Sequence, residues 1–398
     1  MRAKIPIAIG HIDVTVSSFN ACSARGTLRA RAVRVIVLGG YGNFGARICR
    51  ALAADFEVIA AGRDPARALR TAAFDGRVGT ARIDCAAANF SLALRNLAPQ
   101  IVIHCAGPFQ GQDYGVAVAS LAAGAHYIDL ADGRDFVARF AETVEPAARN
   151  AERLALTGAS SVPALSSAVV DAFASRFTSL EEIQVAIAPA QRAPRGTATM
   201  AAVFSYAGKP FQWLNNGRWR CVYGWQELRR LRFAGLGRRW AAACDVPDLA
   251  LFPARYPGVK TVEFRAALEL AIQHLILWAV AQARRARVPI PLERWARPLD
   301  RAASWLDRIG GERGGMLVSL AGVRTDGTRG RIEWHLTADS NHGPEIPCMA
   351  AILLTRKIAR GEVAVRGAMP CVGLLALNEF APEFARWGMR ASLEEYPA

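Results

Sequence analysis

Lysine is scarce in this sequence of 398 residues, which contains only Lys4, Lys209, Lys260 and Lys357. The net charge of +15 is therefore carried almost entirely by arginine, which is spread along the chain. The sequence has no basic recognition helix and no RNP-type strand. The charge thus predicts a solvated basic surface or a site that attracts anions, and no nucleic-acid partner.

Metal-binding and membrane-spanning patterns are also missing. The eight cysteines form no C-x-x-C pair and the six histidines have no H-E-x-x-H spacing, so we predict no metal site. No apolar run reaches the roughly 18 residues that a membrane span needs. Residues 1–30 lack the continuous apolar segment of a secretory signal, so we predict a disordered N-terminal extension and a cytoplasmic protein.

From Arg34 to about residue 175, short apolar segments alternate with amphipathic ones. The amphipathic segment after the first apolar run places Phe44, Ile48 and Leu52 at four-residue spacing, which is typical of a helix. Strands buried on both faces and separated by helices indicate a doubly wound parallel sheet. We therefore predict an α/β Rossmann domain over residues 31–175, with strands near residues 35–38, 57–61, 81–84, 101–105, 126–130 and 154–157.

After about residue 180 the pattern changes to one typical of antiparallel strands with a single covered face. Residues 316–323 and 331–338 flank Thr325-Asp326-Gly327, which is a hairpin signal. We therefore predict an α+β domain with an antiparallel or mixed sheet over residues 176–340, serving substrate binding or oligomerisation.

The glycine-rich segment after the first strand carries the strongest functional signal. Gly40, Gly42 and Gly45 satisfy G-x-G-x-x-G between a strand and a helix. We expect Gly40 to permit the tight turn, Gly42 to let the backbone approach a pyrophosphate, and Gly45 to let the helix pack on the strand. The predicted cofactor-binding residues are Gly40, Tyr41, Gly42, Asn43, Phe44 and Gly45 here, Arg63, Asp64 and Asp84 at the next strand ends, and Ala106, Gly107 and Pro108 after the fourth strand.

The end of the second predicted strand selects the cofactor. Where NAD sites usually place an acidic residue, this chain has Gly62-Arg63-Asp64. The Arg63 guanidinium can pair with a 2′-phosphate, so we predict NADP; stacking of Arg63 on adenine would leave NAD as the alternative. Asp64 is expected to cap a helix before Pro65, and Asp84 either to bond adenine or to cap a turn.

These segments together resemble the saccharopine dehydrogenase-like oxidoreductases. The resemblance covers about residues 33–175 and implies a Rossmann domain, an inserted α+β domain and a C-terminal segment, 341–398, that returns to the first domain. It also implies an NADP-dependent enzyme that transfers a hydride to or from a carbonyl, imine or activated alkene of a small or lipid-like substrate. The resembling segments are residues 39–45, 61–63, 106–109, 114–115, 124–129 and 163–167.

The sequence leaves the proton donor open. Candidates are Tyr114, His126, Asp129 and His342, together with Asp132 near the end of the fifth strand, and a loop hydrogen bond or a cap is the alternative explanation for each. A cleft opposite Gly107 without a proton donor would instead favour a non-catalytic, NADP-binding regulatory protein.

Two further segments have alternative explanations. Residues 270–281, followed by Arg284, Arg285 and Arg287, suit either a buried core helix or peripheral membrane contact, as in a membrane-surface lipid (enoyl-type) reductase. The aromatic residues between 204 and 240 suit core packing, a large apolar pocket or the face of a homodimer.

Overall fold

The structure, a computed structural model, describes residues 33–64, 77–194, 196–290, 292 and 296–397. The predicted N-terminal extension and the helix that Asp64 was predicted to cap lie outside these residues. Within the described part, no helix combines the length and the apolar character needed to cross a bilayer.

The first sheet is parallel throughout and confirms the predicted Rossmann domain. Its strands are β1 (Arg34–Leu38), β2 (Glu57–Gly62), β3 (Gly79–Arg82), β4 (Ile101–His104), β5 (His126–Asp129), β6 (Leu154–Thr157) and β15 (Gly367–Pro370). Their order is β15-β6-β5-β4-β1-β2-β3, so the direction of winding reverses between β1 and β4. Open parallel sheets bind ligands outside the carboxyl ends of their strands at such a switch point.

The second sheet is mixed, as predicted. Its strands are β7 (Phe177–Ala188), β8 (Pro210–Asn215), β9 (Arg218–Tyr223), β10 (Arg229–Phe233), β11 (Gly237–Ala243), β12 (Thr261–Ala266), β13 (Gly314–Arg324), β14 (Arg329–Ala338) and β16 (Arg390–Pro397). The main path runs β10-β11-β12-β7-β13-β14-β16, while β8 pairs with β12 and β9. The predicted hairpin joins β13 to β14, and Gly327 supplies the positive φ of its turn.

Eleven helices pack around the two sheets in the described residues. They are α1 (Asn43–Leu52), α2 (Phe90–Asn96), α3 (Gly115–Ala122), α4 (Arg134–Asn150), α5 (Ser166–Ala174), α6 (Thr197–Tyr206), α7 (Asp248–Arg255), α8 (Ala271–Arg285), α9 (Ala296–Trp305), α10 (Ile346–Ala359) and α11 (Ala381–Arg386). Short 3₁₀ or π turns cover Ser161–Leu165, Leu306–Arg308, Gly343–Glu345 and Leu377–Phe380.

The C-terminal segment joins both sheets. Residues of α10 pack on α1, β15 extends the first sheet beside β6, and β16 closes the second sheet beside β14. A continuous buried cluster contains side chains from both sheets, including Val35, Ile103, Val185 and Trp334. Apolar burial is the main favourable term in folding, so this shared core fixes the carboxyl edge of the first sheet against the second domain.

Candidate functional site

In the turn after β1, the positive φ belongs to a different glycine from the one predicted to permit the turn. Gly39, and not Gly40, adopts a positive φ, +76°, and its N–H donates to the Ala61 carbonyl oxygen at 2.8 Å. Gly40 instead gives β2 room, because an added Cβ at Gly40 would lie 2.7 Å from the Cα of Ala60. The turn therefore needs both glycines, Gly39 for its positive φ and Gly40 because an added Cβ would also lie 2.8 Å from the Val37 carbonyl oxygen. A left-handed φ cannot be read from a run of two glycines, since either one tolerates it.

The other two glycines of the motif have different surroundings. An added Cβ at Gly45 would lie 2.3 Å from the Gly39 carbonyl oxygen, so Gly45 lets α1 begin tightly against the turn. At Gly42 the nearest described atom would be the same oxygen, at 3.1 Å, and no other lies within 4 Å. The backbone at Gly42 is therefore bare on its outer side, which is the surface that a diphosphate needs.

The N-terminus of α1 opens on this bare backbone. Among the described residues no side chain caps the helix, and its first N–H groups have no partner inside the helix. The Asn43 side chain is engaged elsewhere, since its Nδ2 donates to the Pro194 carbonyl oxygen at 2.9 Å and its Oδ1 accepts from Arg47 at 2.6 Å. Free N–H groups and the positive end of the helix dipole fit the pyrophosphate of a dinucleotide.

Two predicted cofactor residues turn their side chains inward. Tyr41 is buried, and its hydroxyl lies 3.0 Å from the Ala60 and 2.9 Å from the Ala81 carbonyl oxygens, so it joins β2 to β3. Its ring also covers Gly62, where an added Cβ would meet Cδ2 at 2.9 Å. Phe44 packs against the apolar core. These residues therefore shape the loop through their backbones, and their side chains do not block the N-terminus of α1.

Two arginines follow the ends of β2 and β3. Arg63 is exposed directly after β2, and Arg82 is exposed at the end of β3, in register with Gly62. The sequence analysis missed Arg82 because strand pairing, and not sequence distance, brings it beside Gly62. Asp64 is exposed in the same segment, and Asp84 Oδ1 accepts the Ala86 N–H at 3.1 Å. The carboxylate of Asp84 thus caps a turn, which is one of the two roles expected for it.

The segment after β4 forms a second wall of the site. The Gln112 side chain anchors this segment by donating to the carbonyl oxygens of Ala106 at 2.9 Å and Pro108 at 2.6 Å. An added Cβ at Gly107 would lie 3.7 Å from Ala198 Cβ in α6. Helix α6 of the inserted domain therefore lies across from Gly107 and narrows the cleft.

Two catalytic candidates lie away from this cleft. His126 is the first residue of β5 and so lies at the amino edge of a parallel sheet, opposite the ligand crevice; its Nδ1 accepts the Leu154 N–H at 3.0 Å. Burial, with the charges of Arg153 and Arg366, lowers the pKa of His126 to about 4. Tyr114 donates to the Phe136 carbonyl oxygen at 3.0 Å and packs on Phe140. We therefore reject His126, and Tyr114 has a structural partner.

Two other candidates also have structural partners. Asp129 is fully buried, and its Oδ1 accepts from Ala131 N, Gly158 N and Thr157 Oγ1 at 2.8–2.9 Å, which ties β5 to β6. Burial raises its pKa to about 6, although these bonds oppose the shift. His342 contacts Trp387, with Nδ1 3.0 Å from its carbonyl oxygen. The structure does not bring His342 to Gly107.

A polar cluster that the sequence analysis did not assemble lies in the cleft. Asp132 follows β5 and accepts from Gln110 Nε2 at 3.2 Å, while Asp245 follows β11 and pairs with Arg134 at 3.2 Å. Burial raises the pKa of both carboxyls. Burial raises the pKa of Tyr206, at the end of α6, well above the ordinary value, and Cys244, which shares a hydrogen bond with the phenol, and then Asp132 and Asp245 add to the rise. The Tyr206 phenol therefore keeps its proton in the neighbourhood of two carboxyls.

Asp248 is a further buried carboxyl beside this cluster. It begins α7, its side chain is 1% exposed, and neither of its oxygens has a hydrogen-bond partner of normal geometry in the described residues. Burial raises its pKa to about 7, and the neighbouring Ser166 opposes the shift. A carboxyl of this kind holds its proton near neutral pH.

The described residues contain one group of metal-ligand type, formed by Glu333, His335 and Glu394 on the second sheet. The Ala234 N–H donates to His335 Nδ1 at 3.3 Å, which leaves the proton of a neutral imidazole on Nε2, where a metal would bind. Arg232 already binds the Glu394 carboxylate. These contacts describe an ion-pair network that is separate from the cleft.

Comparison with protein families identifies the first domain. Residues 35–162 match the family model of the saccharopine dehydrogenase NADP-binding domain. The domain is of the saccharopine dehydrogenase type. The match confirms the resemblance and supports NADP as the cofactor, with NAD as the alternative. Comparison of the sequence with curated proteins gives no significant match.

Solved structures share the architecture of this chain at low identity. Saccharopine dehydrogenase (L-Glu forming) from Saccharomyces cerevisiae is 12% identical, with a TM-score of 0.63 over 92% of this chain and 100% of that one. Homospermidine synthase from Legionella pneumophila, in complex with NAD, is 11% identical, with a TM-score of 0.58 over 92% and 91%. Amine dehydrogenase from Mycobacterium smegmatis is 10% identical, with a TM-score of 0.50 over 87% and 96%. These likenesses confirm the two-domain fold and, with the domain match, support the predicted class, an NAD(P)-dependent oxidoreductase.

Proposed function

We propose that this protein is an NADP-dependent oxidoreductase that acts at a carbon–nitrogen bond, reducing an imine to an amine or oxidising the amine in reverse. The carbonyl, imine and activated alkene were all open from the sequence. The observation that favours the imine is a pair of buried carboxyls near the carboxyl edge of the first sheet, with Asp132 bonded to Gln110 and Asp245 paired with Arg134. Similar folds in proteins named saccharopine dehydrogenase, homospermidine synthase and amine dehydrogenase agree with this choice.

The chemistry needs a cation-stabilising site. The dinucleotide, when bound, exchanges a hydride with a carbon atom of the substrate. A protonated imine accepts that hydride at carbon, the C=N π electrons become a lone pair on nitrogen, and the product is an amine. An enzyme accelerates this step by stabilising the positive charge on the imine nitrogen, which carboxylates in a low-dielectric cleft do well.

Asp132 is the carboxyl that we expect to hold the substrate nitrogen. Asp245 already pairs with Arg134 at 3.2 Å, whereas Asp132 accepts a neutral bond from Gln110. The Tyr206 phenol keeps its proton because burial, Cys244 and the two carboxyls raise its pKa, and its hydroxyl shares a hydrogen bond with Cys244.

The test is a substrate panel with the purified chain. Amines and amino acids with NADP, carbonyl–amine mixtures with NADPH, and activated alkenes with NADPH are compared by absorbance of the reduced nicotinamide. We expect turnover in the first two sets. Turnover confined to alkenes, or NADPH binding with no turnover in any set, would contradict the proposal.

Variants connect the activity to the cleft. Asp132→Asn is expected to lower kcat/KM by about 10²–10³-fold while NADPH affinity is retained, since the lost charge acts on the substrate. Asp113→Asn is the matched control, because Asp113 is exposed and its replacement can still accept the Gly115 N–H. Equal losses of kcat/KM in the two variants would show that Asp132 does not act on the substrate.

The other expectations from the sequence stay predictions. No described contact favours a regulatory protein or a lipid substrate over the amine, and the cytoplasmic location is likewise a prediction.

A further inference from the structure

Helix α8 leaves an apolar stripe uncovered. Ile272, Leu275 and Ile276 are 61%, 38% and 57% exposed, and Ala279 continues the same side at helical spacing. The opposite side is buried, with His274 against Trp225. The expectation of a buried core helix is therefore wrong for half of its surface, since only one side of α8 contacts the protein in the described residues.

Two further exposed apolar residues lie at and after the end of α9. Trp305 and Ile309 are 83% and 70% exposed. Glu269, directly before α8, accepts from Gly311 N at 2.8 Å and from Gln191 N at 2.6 Å, and Gln191 Nε2 donates to Asp307 at 2.8 Å. The start of α8 and the residues around Trp305 are thus fastened together. Exposed patches of large apolar residues mark interaction surfaces.

The charge beside this stripe selects the partner. From Leu270 to Leu292 the chain has three arginines and no acidic residue. Arg285 and Arg287 are exposed at the end of α8, where Arg285 lies 4.4 Å above the Tyr223 ring. Isoleucine and leucine along one side of a helix whose last turn carries arginine and no acid is the composition of helices that lie in a membrane interface.

We infer that the α8 stripe docks this protein onto an anionic lipid bilayer, with Ile272, Leu275, Ile276 and Trp305 entering the headgroup region. A second copy of the chain suits the surface less well, because both copies would bring the arginines at the end of α8 to the same interface. This surface is independent of the amine chemistry proposed above.

The test is flotation of the full chain with vesicles of phosphatidylcholine and of phosphatidylcholine mixed with phosphatidylglycerol. We expect flotation with the anionic vesicles and recovery in the bottom fraction with the neutral ones. The double variant Ile272→Gln, Ile276→Gln keeps every charge, so a fall in partition of about tenfold or more would come from the apolar stripe. Leu92→Gln is the matched control, since Leu92 on α2 is also 61% exposed.

Three outcomes would overturn the inference. Wild-type protein that stays below with anionic vesicles has no membrane surface. An equal loss of vesicle partition in Leu92→Gln and in the double variant shows that any exposed apolar residue, and not the α8 stripe, supports the binding. A double variant that floats normally but changes from dimer to monomer in light scattering shows that a second copy covers the stripe. NADPH binding, measured beside each variant, checks that the fold is intact.

Discussion

Asn43 donates from its side-chain amide to the carbonyl oxygen of Pro194, at 2.9 Å, and so connects the first helical residue after the dinucleotide loop to the inserted domain. The two residues are 151 positions apart in the sequence. Because Gly107 faces Ala198 in the same stretch, the segment around Pro194 lies along the cleft. This bond thus holds the mouth of α1 against the substrate domain.

Removing this bond should loosen the cleft. We expect Asn43→Ala to weaken NADPH and NADH by the same factor, about 2–10-fold, because one neutral hydrogen bond contributes about 0.5–1.5 kcal/mol and does not contact the 2′-phosphate. Titrations followed by nicotinamide fluorescence give the two affinities. Tighter binding in the variant would mean instead that the contact obstructs the mouth.

Two glycines of the loop should respond differently to the same added methyl group. Gly42→Ala should lose less stability than Gly45→Ala, because φ is −81° and ψ is 177° there and its Cβ would lie 3.1 Å from the Gly39 carbonyl oxygen. It should nevertheless lose NADPH affinity by tenfold or more (about 1.4 kcal/mol), since the methyl group enters the phosphate space. Gly45→Ala should be destabilised by about 1–3 kcal/mol, because its Cβ would lie 2.3 Å from the Gly39 carbonyl oxygen.

Urea unfolding of both glycine variants tests the predicted stabilities, and NADPH titration tests the predicted affinities. If Gly42→Ala binds NADPH normally, the diphosphate does not lie over Gly42.

The choice of NADP over NAD depends on charge at the ends of β2 and β3. We expect Arg63→Ala and Arg82→Ala each to weaken NADPH by about 10–100-fold and to leave NADH nearly unchanged, since a charge-assisted bond to a phosphate contributes about 1.5–3 kcal/mol. Arg95→Ala on α2 is the control, because Arg95 is exposed and its loss changes the net charge equally. Equal weakening of both nucleotides by Arg63→Ala would indicate that Arg63 stacks on adenine.

The dinucleotide loop could be predicted because its signals are local. A buried strand, three glycines and an amphipathic helix follow one another within twenty residues, and helix and strand periodicity depend on neighbours in sequence. The location of His126 away from the ligand crevice could also have been predicted. His126 begins a predicted strand, whereas the residues at the crevice are those that follow a parallel strand.

The substrate side of the cleft could not be predicted in this way. Asp132, Tyr206 and Asp245 come from three separate loops or helix ends, and only the packing of the inserted domain on the first sheet brings them together. Strand β15 was missed because Gly367–Pro370 has no β-branched residue and contains proline, and its place beside β6 depends on the return of the chain. Arg82 likewise needed the register of β2 and β3.

Asp248 provides a test of burial in the second domain through pH. Its pKa is raised to about 7 in the folded protein from 3.8, so the folded state holds the proton over a pH range in which the unfolded chain has lost it. Stability therefore falls as pH rises from about 4 to about 7, and the full penalty is present above the folded pKa. Asp248→Asn does not titrate. Between about pH 4 and about pH 8, we expect the free energy of unfolding of the wild type to fall by on the order of 3 kcal/mol relative to that of Asp248→Asn. Urea unfolding of both proteins across this range measures the difference, and a difference that stays constant with pH would mean that Asp248 is ionised, and so solvated or paired, in the folded protein.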